Sequence, residues 1–293
     1  MQIRGVLAAI AGATLSVTAV LGCGALATRT GAASSSAGSP ASASGPPAAS
    51  PAASPAASPA APTPGSASPA VLPLAGKTVG IDPGHNGGNF DDPEYIDRII
   101  WNGLEDETCD TTGTETASGY TEARFNFNVA RYLRSDLRKD GATVVLTRHS
   151  NDGVGPCVTT RAAIINHAHA DVAIDIHADG GPVSGRGFTV LEPVADGPND
   201  KVIAASVRFG ADVRAAMLAD TTMPPSDYYG SSGVIVRDDL AGLNLTRVPK
   251  ILIECGNMPN ATDAAMLTSP AFQRQLALAF TAAIVAFLTG AKV

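Results

Sequence analysis

His85, Glu122, His177 and Glu254 are the residues with which this sequence can do chemistry. His85 stands four residues after the apolar run Lys77–Ile81, which Asp82-Pro83-Gly84 ends. His177 directly follows Val172–Ile176, and Glu254 directly follows Ile251-Leu252-Ile253. Glu122 opens a long amphipathic stretch. Zinc accepts two imidazoles and one carboxylate in a tetrahedron that leaves one position for water. A second carboxylate nearby can then act as general base toward that water. Taken singly, the four signals are weak. The helix dipole alone favours a carboxylate at a helix start, a histidine after a strand is commonly a hydrogen-bonded structural residue, and a glutamate at a strand end commonly pairs with an arginine. No H-E-x-x-H or other short zinc motif is present, so the ligands would have to be gathered from distant segments.

The elements that would gather them alternate. Short β-branched or apolar runs at Lys77–Ile81, Thr143–Thr147, Val172–Ile176, Gly187–Leu191 and Lys250–Glu254 read as strands. Phe125, Val129, Leu133 and Leu137 recur at four-residue spacing and predict a helix over Glu122–Asp140, ended by Gly141. Further helices are predicted over Thr159–His169, Lys201–Ala219, Asp263–Leu267 and Ala271–Leu288. Residues 86–121 are polar and Gly-rich without a clear period and read as a long loop. The pattern predicts a single α/β domain, with a mostly parallel or mixed twisted sheet and helices on both faces. Ligands of such sheets bind beyond the carboxyl ends of the strands, where His85, His177 and Glu254 fall.

Composition bounds the partners. Residues 31–70 contain only Gly, Ala, Ser, Pro and Thr63, and such a stretch cannot bury enough apolar surface to offset its ordering entropy. Residues 71–293 hold all 27 acidic groups and 18 of the 20 basic ones, a net charge of −9. That balance argues against nucleic acid as partner, because phosphate binding needs clustered Lys and Arg. No apolar run there is long enough for a polytopic membrane protein. Met1–Arg4 is short and basic and Gly5–Leu21 is apolar, which reads as an export signal over residues 1–22 or as an uncleaved anchor. Val20-Leu21-Gly22-Cys23 resembles a bacterial lipobox, with Cys23 the residue that would be lipidated. A cleaved, secreted chain is the alternative. Residues 23–70 then form a disordered tether, and residues 71–293 the folded domain, for which nothing demands more than a monomer.

An exported chain meets an oxidising compartment, where a disulfide is chemically accessible. Cys109 and Cys157 lie in loop-like segments, whereas Cys255 follows an apolar strand and is expected to be buried. The expected bridge is Cys109–Cys157, and three reduced thiols are the alternative. The absence of any C-x-x-C spacing disfavours a thiolate zinc site.

Five ordered blocks carry a resemblance. Val79-Gly80-Ile81-Asp82-Pro83-Gly84-His85 resembles the opening of the zinc-dependent N-acetylmuramoyl-L-alanine amidases of the Amidase_3 family. Glu122–Asn126, Val144–Arg148, Ala173–Asp179 and Pro249–Asn257 are similar to further blocks of that family, in its order. The resemblance spans residues 75–290. It implies one zinc ion held by His85, Glu122 and His177, with Glu254 as the catalytic carboxylate. The implied reaction is hydrolysis of the amide between N-acetylmuramic acid and L-alanine of peptidoglycan, outside the membrane. It also makes Arg237, in a block before the last strand, a candidate for binding a substrate carboxylate or oxyanion, with a structural ion pair as the equal alternative. Asp82 is left open between orienting His85 and serving the turn. Asp175 stands where the family pattern has a small residue, and the sequence supplies no reason. Three other readings remain: a wall-binding lipoprotein with weak or no activity, a zinc hydrolase of another amide, and a scaffold with structural zinc. The presence of all four site residues disfavours the first. Segment 86–121, which lies between two of the ligands, is a candidate border of the cleft.

Overall fold

The computed structural model describes residues 71–293; the expected signal, Cys23 and the tether lie outside the described residues. In chain order the elements are β1 (Thr78–Pro83), α1 (Pro93–Ile96), β2 (Ile99–Trp101), β3 (Asp106–Thr108), α2 (Glu122–Lys139), β4 (Thr143–Leu146), α3 (Val158–His167), β5 (Val172–Asp179), β6 (Thr189–Pro193), α4 (Ile203–Asp220), β7 (Val234–Arg237), α5 (Ala241–Asn244), β8 (Lys250–Asn257), α6 (Ala261–Leu267) and α7 (Pro270–Thr289). Six strands form one mixed sheet in the order β4-β1-β5-β8-β6-β7. β4, β1, β5 and β8 run parallel; β6 runs antiparallel to β8 and parallel to β7. The α/β architecture with a mixed sheet is the one the sequence pattern predicts.

The two-residue period of the strands divides the sheet into an apolar face and a charged one. Val172, Ile174 and Ile176 of β5 join Val79 and Ile81 of β1 and Ile251, Ile253 and Cys255 of β8 in the main core. α2, α4 and α7 cover that face. Phe125, Val129, Leu133 and Leu137 of α2 are fully buried there, each contributing roughly 1.5–3 kcal/mol. α7 has the length and apolar composition of a membrane span. It is a core helix, with Phe272, Leu276, Phe280 and Ile284 buried between its neighbours. Pro270 opens it, and Gly290, in the left-handed region, caps its end.

The alternate strand positions carry Asp82, Asp175, His177, Lys250 and Glu254. The second face is covered more lightly. Ile165 of α3 packs on Ala173, and Leu243 of α5 packs on Leu252. The functional side chains therefore belong to the face where helices leave room.

Two features depart from the sequence reading. The long polar segment 86–121 contains a separate antiparallel hairpin, β2–β3, with Ile99 and Trp101 exposed. β7 adds an edge strand that none of the apolar runs marks, because it is four residues long and only partly buried.

Candidate metal and catalytic site

His85 sits just past β1 with φ 53°, a left-handed conformation that is uncommon outside glycine. Two buried arginines hold this turn by its carbonyls. Arg161, in the first turn of α3, donates to Pro83 O and His85 O, both at 2.8 Å. Arg148, just past β4, donates to Pro83 O at 2.8 Å, Gly84 O at 3.1 Å and Ala123 O at 2.7 Å. Each main-chain oxygen thus accepts a charge-assisted hydrogen bond, the stronger kind, and the strained turn is over-determined.

Glu122 is the first residue of α2, so its carboxylate stands at the positive end of the helix. Both of its oxygens are occupied. One lies 2.8 Å from His177 Nδ1 and accepts from Ala178 N at 3.2 Å. The other accepts from Thr114 N at 3.0 Å and lies 3.2 Å from His85 Nε2. The His85 and His177 rings meet edge to face, their centroids 4.8 Å apart. One donor atom from each of His85, Glu122 and His177 lies within 4.8 Å of the others, which makes the cluster a possible metal site. The three ligands read from the sequence are therefore brought together.

The electrostatics fit a cation at this point. Burial works against charging His85, but the Glu122 charge and the Asp110 hydrogen bond outweigh it and raise the ring to about 9. His177 is likewise raised despite its burial, by Asp175 and Glu122. Burial would raise Glu122, yet the two histidines hold it well below the usual carboxylate range. Protons on the imidazoles thus supply the positive charge that the carboxylates demand. A divalent ion would replace those protons, as metal binding to such donors generally does.

Glu254 stands beside the cluster by sheet register, directly opposite His177 across β5 and β8. Its Oε2 is sealed from solvent and has no hydrogen-bond partner. Burial, reinforced by Glu122 and Asp179 against the pull of the histidines, pushes its carboxyl up to about 8. A carboxylate that shares no hydrogen bond and holds a proton readily has the properties of a general base. Cys255 beside it is fully buried and its thiol is pushed far up by burial, so it is a core residue and not a nucleophile.

Segment 86–121 does border the site. Thr111 O lies 3.1 Å from His85 Nδ1, and Asp110 Oδ1 lies 3.3 Å from the same nitrogen. Gly113, at φ +72°, passes so close that a Cβ there would stand 2.7 Å from Glu122 Oε2. A cavity of about 210 Å³ is lined by His85 and His177 together with Asp82, Arg161, Asp175 and Glu107.

Asp82, Arg237 and the two loop cysteines have partners of their own. Asp82 does not orient His85; it accepts from Thr147 Oγ1 at 2.6 Å, Arg161 at 3.2 Å and Lys250 Nζ at 2.8 Å. The two cations outweigh its burial and keep it ionised. Arg237 is held by Asp239 and by the Tyr229 hydroxyl, the ion-pair arrangement. Cys109 and Cys157 are buried side by side, each as a thiol. Their contact helps burial push the Cys109 thiol up to about 11. The sequence reading singled out the clustered residues and missed their supports. Arg161, Asp110 and Lys250 have no local motif. The one sequence signal among them is Lys250, a charged residue on an otherwise apolar strand, as Asp175 is on β5.

Two histidines and a carboxylate converge at the strand ends of an α/β sheet, with a second carboxylate alongside, an arrangement that could hold a metal ion beside an acid–base residue. Residues 79–286 match the family model Amidase_3, N-acetylmuramoyl-L-alanine amidase. The chain belongs to this family of peptidoglycan amidases. It is 37% identical over 230 residues to the N-acetylmuramoyl-L-alanine amidase Rv3717 of Mycobacterium tuberculosis, covering 76% of this chain and 91% of that protein. The crystal structure of the amidase Ami1 from Mycobacterium smegmatis is similar with a TM-score of 0.70 and 37% identity, covering 74% of this chain and 99% of that one. The apo form of Ami1 from Mycobacterium abscessus is similar with a TM-score of 0.69 and 39% identity, covering 73% and 100%.

Proposed function

We propose that the chain cleaves the amide between the lactyl group of N-acetylmuramic acid and L-alanine, with zinc held by His85, Glu122 and His177 and with Glu254 as general base and acid. The convergence of the three donors beside the unpartnered Glu254 Oε2 carries this reading. Zinc, when bound, supplies a Lewis acid that polarises the scissile carbonyl and acidifies water. Glu254 accepts the proton of the attacking water and delivers it to the departing amine of L-alanine. His85 and His177 present one ring nitrogen each toward Glu122, and Glu122 fixes the spacing between them.

A muramyl-peptide substrate, analysed by mass spectrometry with zinc-loaded and with chelated protein, tests the reading. The expected result is a released peptide with a free N-terminal alanine, formed only by the zinc-loaded protein and restored to the chelated one by added zinc. Cleavage within the stem peptide would overturn the assigned bond. Equal turnover by the chelated protein would overturn the metal.

The same reading places the enzyme at the cell wall outside the membrane, where the Cys109 and Cys157 thiols would oxidise to a bridge. Such a bridge would tie the segment carrying Asp110 and Thr111 to the start of α3, which carries Arg161. Alkylation of the denatured, unreduced exported protein is expected to label two fewer cysteines than after reduction. Equal labelling before and after would exclude the bridge.

A further inference from the structure

Asp175 is the residue for which the sequence gives no reason, and the structure gives one. It lies on the charged face of β5, two residues before His177 and directly opposite Asp82 of β1. Its Oδ2 is 3.1 Å from Lys250 Nζ, and Lys250 in turn reaches Asp82 at 2.8 Å. Lys250 is 1% exposed. A fully buried ammonium is costly unless it is paired, so the two aspartates account for the lysine. They do not account for the other oxygen of Asp175. Oδ1 is buried, has no hydrogen-bond partner, and lies 3.3 Å from His177 Nε2.

A neutral imidazole carries one N–H and one lone pair. A histidine that ligates a metal must offer the lone pair, and the partner of its other nitrogen decides which nitrogen that is. His177 turns Nδ1 toward Glu122, at 2.8 Å, and Nε2 toward Asp175. His85 has a main-chain acceptor for its outer nitrogen, Thr111 O. Among the described residues, Asp175 is the acceptor placed against Nε2 of His177. With the deepening of the zinc reading on which it rests, we infer that Asp175, anchored by Lys250, is the positioning residue of His177: it receives the Nε2 hydrogen and so leaves the Nδ1 lone pair facing the metal site.

The competing explanation is that Asp175 and Lys250 form a buried ion pair that merely ties β1, β5 and β8 together. The two differ in what they control. An ion pair between strands sets stability; a positioning residue also sets the tautomer of His177 and the affinity for the ion. The experiment compares the wild type, His177→Ala, Asp175→Asn and the charge-balanced double variant Asp175→Ala/Lys250→Met. Zinc affinity is read by competition with a chromophoric chelator, the His177 Nε2–H by ¹⁵N NMR of the zinc-loaded protein, and Tm in parallel. The double variant is expected to bind zinc about 10–100-fold more weakly, the usual effect of losing such a partner, and to lose the hydrogen-bonded Nε2–H signal of the zinc-loaded protein. Asp175→Asn keeps a carbonyl acceptor and nearly the same shape, and is expected to fall between the double variant and the wild type. Wild-type zinc binding that His177→Ala abolishes but both Asp175 variants leave unchanged, with Tm alone affected, would overturn the positioning role and leave the zinc reading intact. A wild type that binds no zinc would overturn both.

Discussion

Glu254→Gln is expected to lower turnover by about 10²–10⁴-fold, the usual contribution of general acid–base catalysis, while leaving zinc binding in place. The substitution is nearly isosteric, and an amide cannot take up a proton at neutral pH. His85, Glu122 and His177 come from the turn after β1, from α2 and from β5, and none depends on Glu254 for a hydrogen bond. Nothing is orphaned by the change, because Glu254 Oε2 has no partner to lose. A carboxyl pushed up to about 8 by burial, Glu122 and Asp179 is also a residue under electrostatic stress. At neutral pH the native state holds a proton there that the unfolded chain gives up, so glutamine, which escapes that cost, is expected to raise Tm slightly as activity falls, the trade-off common at active sites. Steady-state turnover, zinc stoichiometry and a thermal melt on the same preparation check this together. A loss of less than tenfold would remove Glu254 from the proton path. A loss of zinc in parallel would mean that the residue supports the ligands instead.

The same four residues show how far a sequence carries an argument of this kind. His85, His177 and Glu254 were legible because each follows a short apolar run, and strand ends are where α/β sheets place their chemistry. Glu122 was legible because a clear four-residue period begins behind it. The period also fixed α2 and its buried face. Local pattern could not reach what surrounds the ligands. Arg161 and Asp110 are 51 residues apart and meet at 3.1 Å, and Lys250 reaches across 168 residues to Asp82. Such pairs leave no periodic trace; each looks like an isolated charge until the sheet order brings it next to its partner. The β2–β3 hairpin escaped for a different reason. Its strands are three residues long with exposed ends, so neither alternation nor an apolar run marks them.

Those supports also explain the motif at the end of β1 in physical terms. Pro83, Gly84 and His85 each give a main-chain oxygen to Arg148 or Arg161, and Gly84 O accepts from Asn126 Nδ2 at 3.2 Å as well. The turn therefore has little freedom to retreat. Asp82, whose side chain faces Arg161 and Lys250, links its base to the same network. The proposed metal ligands rest on a framework of buried, mutually paired charges. The breaking of one partner in such a pair costs far more than the pair as a whole contributes.

Gly84→Ala is the substitution this framework can least absorb. The backbone of Gly84 has no left-handed φ, so an added methyl brings no conformational objection of its own. The objection is the His177 ring: a Cβ at Gly84 would stand 2.1 Å from Cε1 and 2.2 Å from Nε2. Real Cβ contacts essentially never fall under 3.0 Å, so either the turn or the ring must move by about 1 Å, a misplacement that costs on the order of 10²-fold in rate. The turn is held by two arginines, and Gly84 N donates to Ile176 O at 3.0 Å. The ring is the part with freedom, and it can only leave the place between Glu122 and Asp175. Metal affinity and turnover are expected to fall together, turnover by at least about 10²-fold. This separates the variant from Glu254→Gln, in which turnover falls and the metal stays. Gly80→Ala is the internal comparison on the same strand: its Cβ would meet Ala173 at 3.0 Å and Ile165 at 3.2 Å, a packing strain of roughly 1–3 kcal/mol with no ligand in the way. It is expected to lower Tm and retain zinc. If zinc titration instead finds Gly84→Ala binding as tightly as the wild type, His177 does not hold the metal in the position the turn enforces, and the ligand assignment fails at that residue.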